Sequence, residues 1–515
     1  MTTQRNFFVA LQDAMPANKQ LPAIWADGDL VYSWQDIDDA TAMLANLLDD
    51  LKLPKGSRIA VQVDKSVEAM MLYLATLRAG HVFLPLNTAY QSGEIGYFIE
   101  NASPAVVVCS PANFGWVSKI AFQNGVERVF TLSDDRQGTL LERAAAYSRR
   151  QKPAQVSADT LAVIIYTSGT TGRSKGAMLS HGNIASNAET LKAYWNWQPN
   201  DVLIHALPIF HVHGLFVAIH GAMLNGSPMI WMNKFDPKNA IAHMAKATVF
   251  MGVPTLYTRM LAEPALQPSA TQNMRLFVSG SAPMLAETHA AWKASTGHDI
   301  LERYGMSETV MLTSNPCTPD PRFDNQSERR GGTVGFPLPG VTLRVVDSDN
   351  KPVPAGEIGG IQVKGPNVFL GYWQMPEKTA EEFTSDGFFK TGDVGQQGAD
   401  GYVTIVGRSK DLIISGGYNV YPAEIESFIN NLPGVSESAV VGVPHPDFGE
   451  VGVAVIVPKS GAEVDPANVI QVIKSQMANF KVPKHCAVVE ALPRNIMGKV
   501  QKNLIRNGYA ELFTA

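Results

Sequence analysis

From about residue 20 to residue 400 the chain alternates short apolar runs with segments of helical periodicity, and this alternation narrows its fold more than any other feature. Residues 58–63 (RIAVQV), 105–110 (AVVVCS) and 128–132 (RVFTL) read as strands, and 66–79 as a helix. Strand–helix alternation favours a mainly parallel sheet covered by helices. Past Gly335 the texture changes to GVTLRVVDSDNKPVPAGEIGGIQVKG, a series of short strands and tight turns that predicts an antiparallel sheet or a small barrel. The stretch 386–411 reads as turn-rich and closes the large unit. From about residue 412 a compact α+β pattern follows, with helices predicted at 422–431 and 466–477, paired strands around 438–457 and a last strand near 486–489. The expected class is α/β: a large N-terminal domain over 1–408, of mainly parallel sheets covered by helices plus a small β-barrel-like part, and a smaller α+β C-terminal domain over 409–515.

Composition limits what such a chain does. It has 515 residues, 45% of them hydrophobic and 17% charged, enough for a large core and unlike a disordered chain. The net charge of −5, with no lysine or arginine block, argues against nucleic acid as a partner. No apolar run approaches the ~20 residues that span a bilayer, so no membrane partner is expected. Cys109, Cys317 and Cys486 have neither metal-like nor disulfide-framework spacing, as in a reducing compartment. The first residues, MTTQRNFFVALQDAM, lack the basic-then-apolar plan of a secretory signal, and a cytoplasmic location is expected.

The chemistry begins at residues 166–176, YTSGTTGRSKG, directly after the apolar run 161–166 (LAVIIY). Glycines and hydroxyl residues in that density cannot pack a core, but their backbone N–H groups and hydroxyls can wrap a polyphosphate, and Lys175 adds a point charge. A Walker A loop would need glycine before the lysine and Ser/Thr after it; here Ser174 precedes Lys175 and Gly176 follows. The segment instead resembles the signature loop of the adenylate-forming superfamily, which includes acyl-CoA and aryl-CoA ligases, luciferases and the adenylation domains of peptide synthetases. The usual family proline is Ser174 here, which relaxes φ at one loop position.

Five further segments carry the same resemblance. LERYGMSETV (301–310) is similar to the Tyr-Gly-x-Thr-Glu element, and VSGSAP (278–283) to the small-residue strand end that lines the adenine and acyl pocket. KTGDVG (390–395) places Asp393 at the ribose-binding aspartate; VGRSKDLIISGGYNVYPAEIE (406–426) and LPRNIMGKVQK (492–502) complete the set. The resemblance implies ATP, Mg²⁺ and coenzyme A as cofactor and co-substrates. It implies nucleotide contacts from Thr167, Ser168, Gly169, Thr170, Thr171, Gly172, Lys175, Ser281, Ala282, Pro283, Arg303, Tyr304, Gly305, Met306, Ser307, Asp393 and Arg408. Tyr304 would stack on adenine, Ser307 would meet the α-phosphate, and Thr170 and Glu308 would hold the metal, for which a hard carboxylate oxygen is apt. Lys499 would bridge the substrate carboxylate and the α-phosphate, where a cation lowers the barrier between two anions. Lys410 would be the hinge on which a mobile small domain turns, and Ser415, Gly416 and Gly417 would border the coenzyme A arm. Arg329, Arg330, Lys481 and Lys484 are candidates for the coenzyme A phosphates.

The acyl group is a separate question. LPIFHVHGLF (207–216) is similar to the family's aromatic–histidine element, placing His211 at the acyl or thiol site as a catalytic candidate. Arg303 stands where many relatives have a neutral residue. A buried arginine requires an anion, either an internal acid or a second carboxylate on the substrate. Arg303 with Met306, HVHGLF and SGSAP resembles the malonyl-CoA synthetase branch, with Ser279 and Met306 completing the substrate pocket. The expected reaction is malonate and ATP to malonyl-AMP and pyrophosphate, then malonyl-CoA and AMP, by a monomer or homodimer. The alternative is a ligase for another short acid, methylmalonate or a monocarboxylate. A peptide-synthetase module is disfavoured because only 16 residues follow Lys499, and a non-catalytic nucleotide binder because Lys499, Glu308, Asp393 and Arg408 are all present.

Overall fold

The computed structural model describes residues 6–26, 30–167, 174–415, 418–495 and 498–513. In a seven-stranded sheet, Leu161–Thr167, Val82–Pro85, Arg58–Gln62, Val106–Cys109 and Val129–Thr131 run parallel in that spatial order. Lys175–Ser180 and Gly371–Tyr372 extend it antiparallel beyond Leu161–Thr167. Successive residues of a strand face opposite sides, and here both sides are core. Ile59, Val61, Val106 and Val108 join one apolar cluster, whereas Ala60, Val107 and Cys109 join another with Ile95, Phe98 and Ile99 of the helix Ser92–Ala102. Burial on both faces is why these strands read as unbroken apolar runs. The predicted helix at 66–79 is Val67–Arg78, capped by Ser66, whose hydroxyl accepts from the Ala69 N–H at 3.1 Å.

A nine-stranded sheet packs on the same central core. Its parallel part is ordered Leu301–Tyr304, Leu276–Ser279, Val249–Gly252, Leu203–His205, Met229–Trp231, Pro22–Trp25. Antiparallel strands flank it on both sides. Residues Leu203, Val249, Met251, Leu276 and Val278 point to the core shared with the first sheet. Ile204, Phe250 and Phe277 point outward, under Tyr257, Met260 and Trp292 from the helices Pro254–Leu261 and Ala286–Thr296.

The region past Gly335 forms a four-stranded antiparallel sheet ordered Thr342–Val346, Gly359–Lys364, Phe389–Gln397, Val403–Arg408. Two of these strands lie in the stretch read as turns, because its glycines sit within paired strands as well as between them. The last segment is a five-stranded sheet: Tyr418–Val420, Ile413–Ser415, Gly449–Pro458 and Val435–His445, with His485–Val488 parallel to Gly449–Pro458. Helices Pro422–Asn430 and Pro466–Gln476 cover one face, through Ile425, Ile429, Val469 and Ile473. The hairpin at 413–420 and the helix Lys502–Tyr509 were not anticipated; that helix buries only Ile505, too little for an apolar stripe. The three cysteines are free. No helix among the described residues is long and apolar enough to cross a membrane.

Buried neutral histidines set an acid limit on stability. Burial pushes His181 down to about 4 and His220 to about 3. In the unfolded chain each takes up a proton as pH falls through about 6.5, while in the fold it stays neutral. Stability is therefore highest above that value and falls below it, by up to about 1.4 kcal/mol per pH unit for each such group. The thermal midpoint is expected to drop on going from pH 7.5 to pH 5, before carboxylates such as Asp38, whose pKa is lowered by Lys19 and Gln12 against burial, begin to titrate. A flat profile over that interval would contradict this.

Candidate active site

Four neighbouring parallel strands, Leu301–Tyr304, Leu276–Ser279, Val249–Gly252 and Leu203–His205, end along one edge of the nine-stranded sheet. The carboxyl ends of parallel strands are where α/β sheets open a ligand crevice, because the loops that leave them diverge. Arg303 and Tyr304 come from the first strand, Ser279 to Pro283 from the second, Tyr257 follows the third, and His211 and His213 follow the fourth.

Arg303 is 3% exposed and has no acidic partner among the described residues; its Nε and Nη2 donate to nothing. Beside it, a Cβ at Gly280 would lie 2.5 Å from the guanidinium, so glycine is what makes room for this arginine. Burial pushes the Arg303 pKa down to about 9, which still leaves it cationic at neutral pH. Ser279 is fully buried and its Oγ is also unpartnered. The Tyr257 hydroxyl donates to the Val278 carbonyl at 2.8 Å, fixing the neighbouring strand end. Two polar side chains thus sit desolvated with unused hydrogen-bonding capacity, at a cost of about 1–3 kcal/mol for each unsatisfied group.

The histidine loop adds to this. From His213 to Ala218 the backbone winds as a π-helix, a form frequent at functional sites. His205 precedes the loop, stacked on Trp231 at 4.5 Å, with Lys65 donating to the His205 and Met232 carbonyls at 2.9 and 2.6 Å. His211 Nε2 and His213 Nε2 are buried without partners among the described residues, and His213 Nδ1 lies 3.4 Å from Ser281 Oγ. Burial, with the charge of Lys499, pushes His211 down to about 3. His213 is driven well below its ordinary value by burial, then by Arg303 and the other two histidines. Both rings are neutral. The sequence reading singled out His211 and passed over His213, although the second histidine of HVHG was a signal in plain view.

Along the nucleotide side, Tyr304 donates its hydroxyl to the Asp393 carboxylate. Asp393 pairs with Arg408 at 2.7 Å across adjacent strands. Burial raises the Asp393 pKa and Arg408 pulls it back. Gly305 lies so close to the Val310 carbonyl that a Cβ would sit 1.9 Å away. Met306 and Ser307 are half-buried, as are Ser281 and Ala282, while Pro283 is exposed. Glu308 is 5% exposed and accepts from the Tyr372 hydroxyl at 3.0 Å; burial raises its pKa. Lys175 stands 3.6 Å from Glu382 and 4.3 Å over the Tyr372 ring, and Thr167, its strand partner, donates to its carbonyl at 3.4 Å. Ser168, Gly169, Thr170, Thr171 and Gly172 lie outside the described residues, as do Gly416 and Gly417.

Lys499 reaches this site from the C-terminal segment. Part of the residue is open to solvent, yet its ammonium is deep enough that desolvation is the main influence lowering its pKa, followed by Arg408. Asp393 and Glu308 act the other way, and Arg303 reinforces the lowering. A turn holds the lysine: its N–H donates to Asn495 Oδ1 at 3.0 Å, and its carbonyl accepts from the Asn495 N–H at 2.9 Å. Lys459 pairs with Glu287 at 2.7 Å and adds a second contact between the C-terminal segment and the large unit. Lys410 lies in the short turn Ser409–Asp411 that joins the last strand of the four-stranded sheet to the small sheet, and Ser415 is buried at the end of Ile413–Ser415. Arg330 pairs with Asp400 at 2.6 Å, Lys481 with Glu424 at 2.6 Å, and Arg329 donates to the Asp299 carbonyl. Lys484 packs on the Phe448 ring at 5.3 Å.

A cleft of about 670 Å³ lined by Gln35, Asp38, Asp39, Arg78, Arg149, Arg150, Gln151 and Lys152 opens elsewhere, but it presents no buried unpartnered polar atom among the described residues. Among those residues no three His, Cys, Asp or Glu side chains gather as a metal site. Glu308 stands as a single buried carboxylate, which fits an ion that takes one protein carboxylate and completes its shell with phosphate oxygens.

Residues 11–373 match the model of the AMP-binding enzyme family, and 424–499 that of the AMP-binding enzyme C-terminal domain. The chain belongs to this family. It is 34% identical to the malonate–CoA ligase of Arabidopsis thaliana, over 88% of this chain and 78% of that one. It is 31% identical to the feruloyl-CoA synthase of an Amycolatopsis species, over 94% and 95%. The crystal structure of ATP-bound MatB from Rhodopseudomonas palustris superposes with a TM-score of 0.95 at 52% identity, over 99% of each chain. The apo form of MatB superposes less closely, at 0.84. The arrangement described above, with Lys499 among Arg408, Asp393 and Arg303, thus accompanies the overall shape of an ATP-bound relative.

Proposed function

We propose that this protein is an AMP-forming malonate–CoA ligase. ATP and malonate give malonyl-AMP and pyrophosphate, and coenzyme A then gives malonyl-CoA and AMP. The observation that carries the substrate is Arg303, a buried guanidinium that has two unused donors and no acidic partner among the described residues, beside Ser279, equally unpartnered among them. One malonate carboxylate takes these donors, and the other is left facing Lys499. Similarity to the malonate–CoA ligase supports the same substrate. The feruloyl-CoA synthase is similar over more of the chain, so family membership alone would not choose between acids.

In the first half-reaction a carboxylate oxygen attacks the α-phosphorus and pyrophosphate leaves. Lys499 lies between the two anions and offsets their repulsion. Tyr304 forms the face for adenine, Asp393 and Arg408 hold the ribose and phosphate, and Lys175 with the 168–172 loop receives the outer phosphates. Glu308 and Thr170 would hold Mg²⁺, which would supply charge neutralisation to the phosphates. In the second half-reaction the sulfur of coenzyme A attacks the malonyl carbonyl, AMP leaves with the electron pair, and His211 borders the thiol path as a neutral acceptor. Turning of residues 409–515 about Lys410 withdraws Lys499 and brings Ser415, Gly416 and Gly417 to the site, a hinge motion that lets one cavity serve both steps.

Product analysis tests the assignment. With malonate, ATP and coenzyme A, AMP, pyrophosphate and malonyl-CoA are expected in equal amounts; ADP with phosphate would overturn it. Gly280→Ala is a finer test, because the added methyl forces the guanidinium aside. A displacement of about 1 Å is expected to lower kcat/KM for malonate about 10²-fold and leave KM for ATP unchanged.

A further inference from the structure

Three polar groups unpartnered among the described residues lie on or beside the Ser279–Ser281 turn. Ser279 Oγ and the Nε and Nη2 of Arg303 are two of them, and His213 Nε2 is the third. The turn ties them together: Ser279 ends its strand, Gly280 leaves the room for the guanidinium that a Cβ there would fill at 2.5 Å, and Ser281 Oγ is 3.4 Å from His213 Nδ1. His213 is 3% exposed. His220, equally buried, pairs its Nε2 with the Tyr73 hydroxyl at 2.8 Å, while the buried His181 leaves its own Nε2 unpartnered among the described residues.

We propose that His213 is a specificity-determining residue whose Nε2–H donates to the distal carboxylate of malonate, alongside Arg303 and Ser279. The inference rests on the malonate reading above and deepens it. An ionised carboxylate offers about four lone-pair sites, and a bidentate arginine takes two of them. Ser279 Oγ and His213 Nε2 supply the remaining donors. With the Ser281 hydroxyl donating to Nδ1, one of the two directions this 3.4 Å pair allows, the proton rests on Nε2. A neutral donor suits this position better than a second cation. Arg303 already balances the single charge of the distal group, and a further buried charge would itself need a partner. A monocarboxylate of the same size leaves Arg303, Ser279 and His213 unpaired together, which is the arrangement that rejects such analogues most strongly.

The test compares His213→Leu and His213→Met, which remove the donor, with His213→Gln, which keeps an N–H. Each full-length variant is assayed by ATP–pyrophosphate exchange with malonate and, separately, with propionate. The donor-less variants are expected to lose about 10–100-fold in kcat/KM for malonate, the range for a hydrogen bond to a charged group. Propionate activity and KM for ATP should stay as in the unaltered chain, and His213→Gln should recover most of the malonate loss. Parallel loss of malonate and propionate activity would mark a purely structural histidine and overturn the inference, as would malonate kinetics indifferent to the donor. If the unaltered chain turns over no malonate, the substrate assignment itself fails and the inference falls with it. Normal malonate turnover without a His213 effect sinks the inference alone.

Discussion

Lys499→Ala is expected to lower malonate-dependent ATP–pyrophosphate exchange by about 10²–10³-fold, the loss typical of removing one preorganised charge-stabilising group. The charges of Asp393, Arg408, Arg303 and Glu308 act on the ammonium; burial and the two guanidinium groups depress its pKa, and no ion pair among the described residues fixes it. It is therefore available to the reacting anions. On the proposed mechanism the second half-reaction has no need of it. Malonyl-AMP supplied ready-made, with coenzyme A, should yield malonyl-CoA at a rate within a few-fold of the unaltered chain. Equal damage to both half-reactions would mean that the substitution disturbs the fold of the 494–500 turn, and that the assigned role is wrong.

Arg303→Leu should move activity and stability in opposite directions. The guanidinium is desolvated, with Nε and Nη2 unpaired among the described residues. Replacing a buried unpaired charge by an apolar side chain removes that penalty, so the ligand-free thermal midpoint is expected to hold or rise. Malonate loses its clamp at the same time. Removing one partner of a buried charge pair costs about 2–5 kcal/mol, hence a fall in kcat/KM of about 30- to several thousand-fold. ATP binding, measured alone by calorimetry, should be unaffected. An unchanged malonate KM would discard the clamp whatever the midpoint does.

Much of this architecture was legible before any coordinates. Strands 58–62, 106–109 and 129–131 and the helix capped by Ser66 fell within a residue or so of expectation, because apolar runs and helix caps are local signals. The hairpin at 413–420 and the helix at 502–509 escaped, since neither carries a strong apolar period and both form by packing on a sheet assembled from distant residues. Site residues divided in the same way. Those in continuous motifs, such as Tyr304 with Glu308 or Asp393 within KTGDVG, are singled out by the family resemblance that those motifs carry. Tyr372, which holds Glu308, could not, because its partner lies 64 positions away; His213 was visible in HVHG, but its contact with Ser281, 68 positions on, was not. Gly280 was visible as a small residue, but only the geometry explains its smallness through the arginine beside it.

One kinetic ratio bears on all of this: kcat/KM for malonate divided by that for propionate, which differs chiefly in having a methyl where malonate has its second carboxylate. A cavity with a fixed cation and neutral donors should favour malonate by at least about 10³-fold, since sites built to pair a polar group reject analogues lacking it by 10⁴ or more. A ratio near unity, or a preference for propionate, would contradict the account.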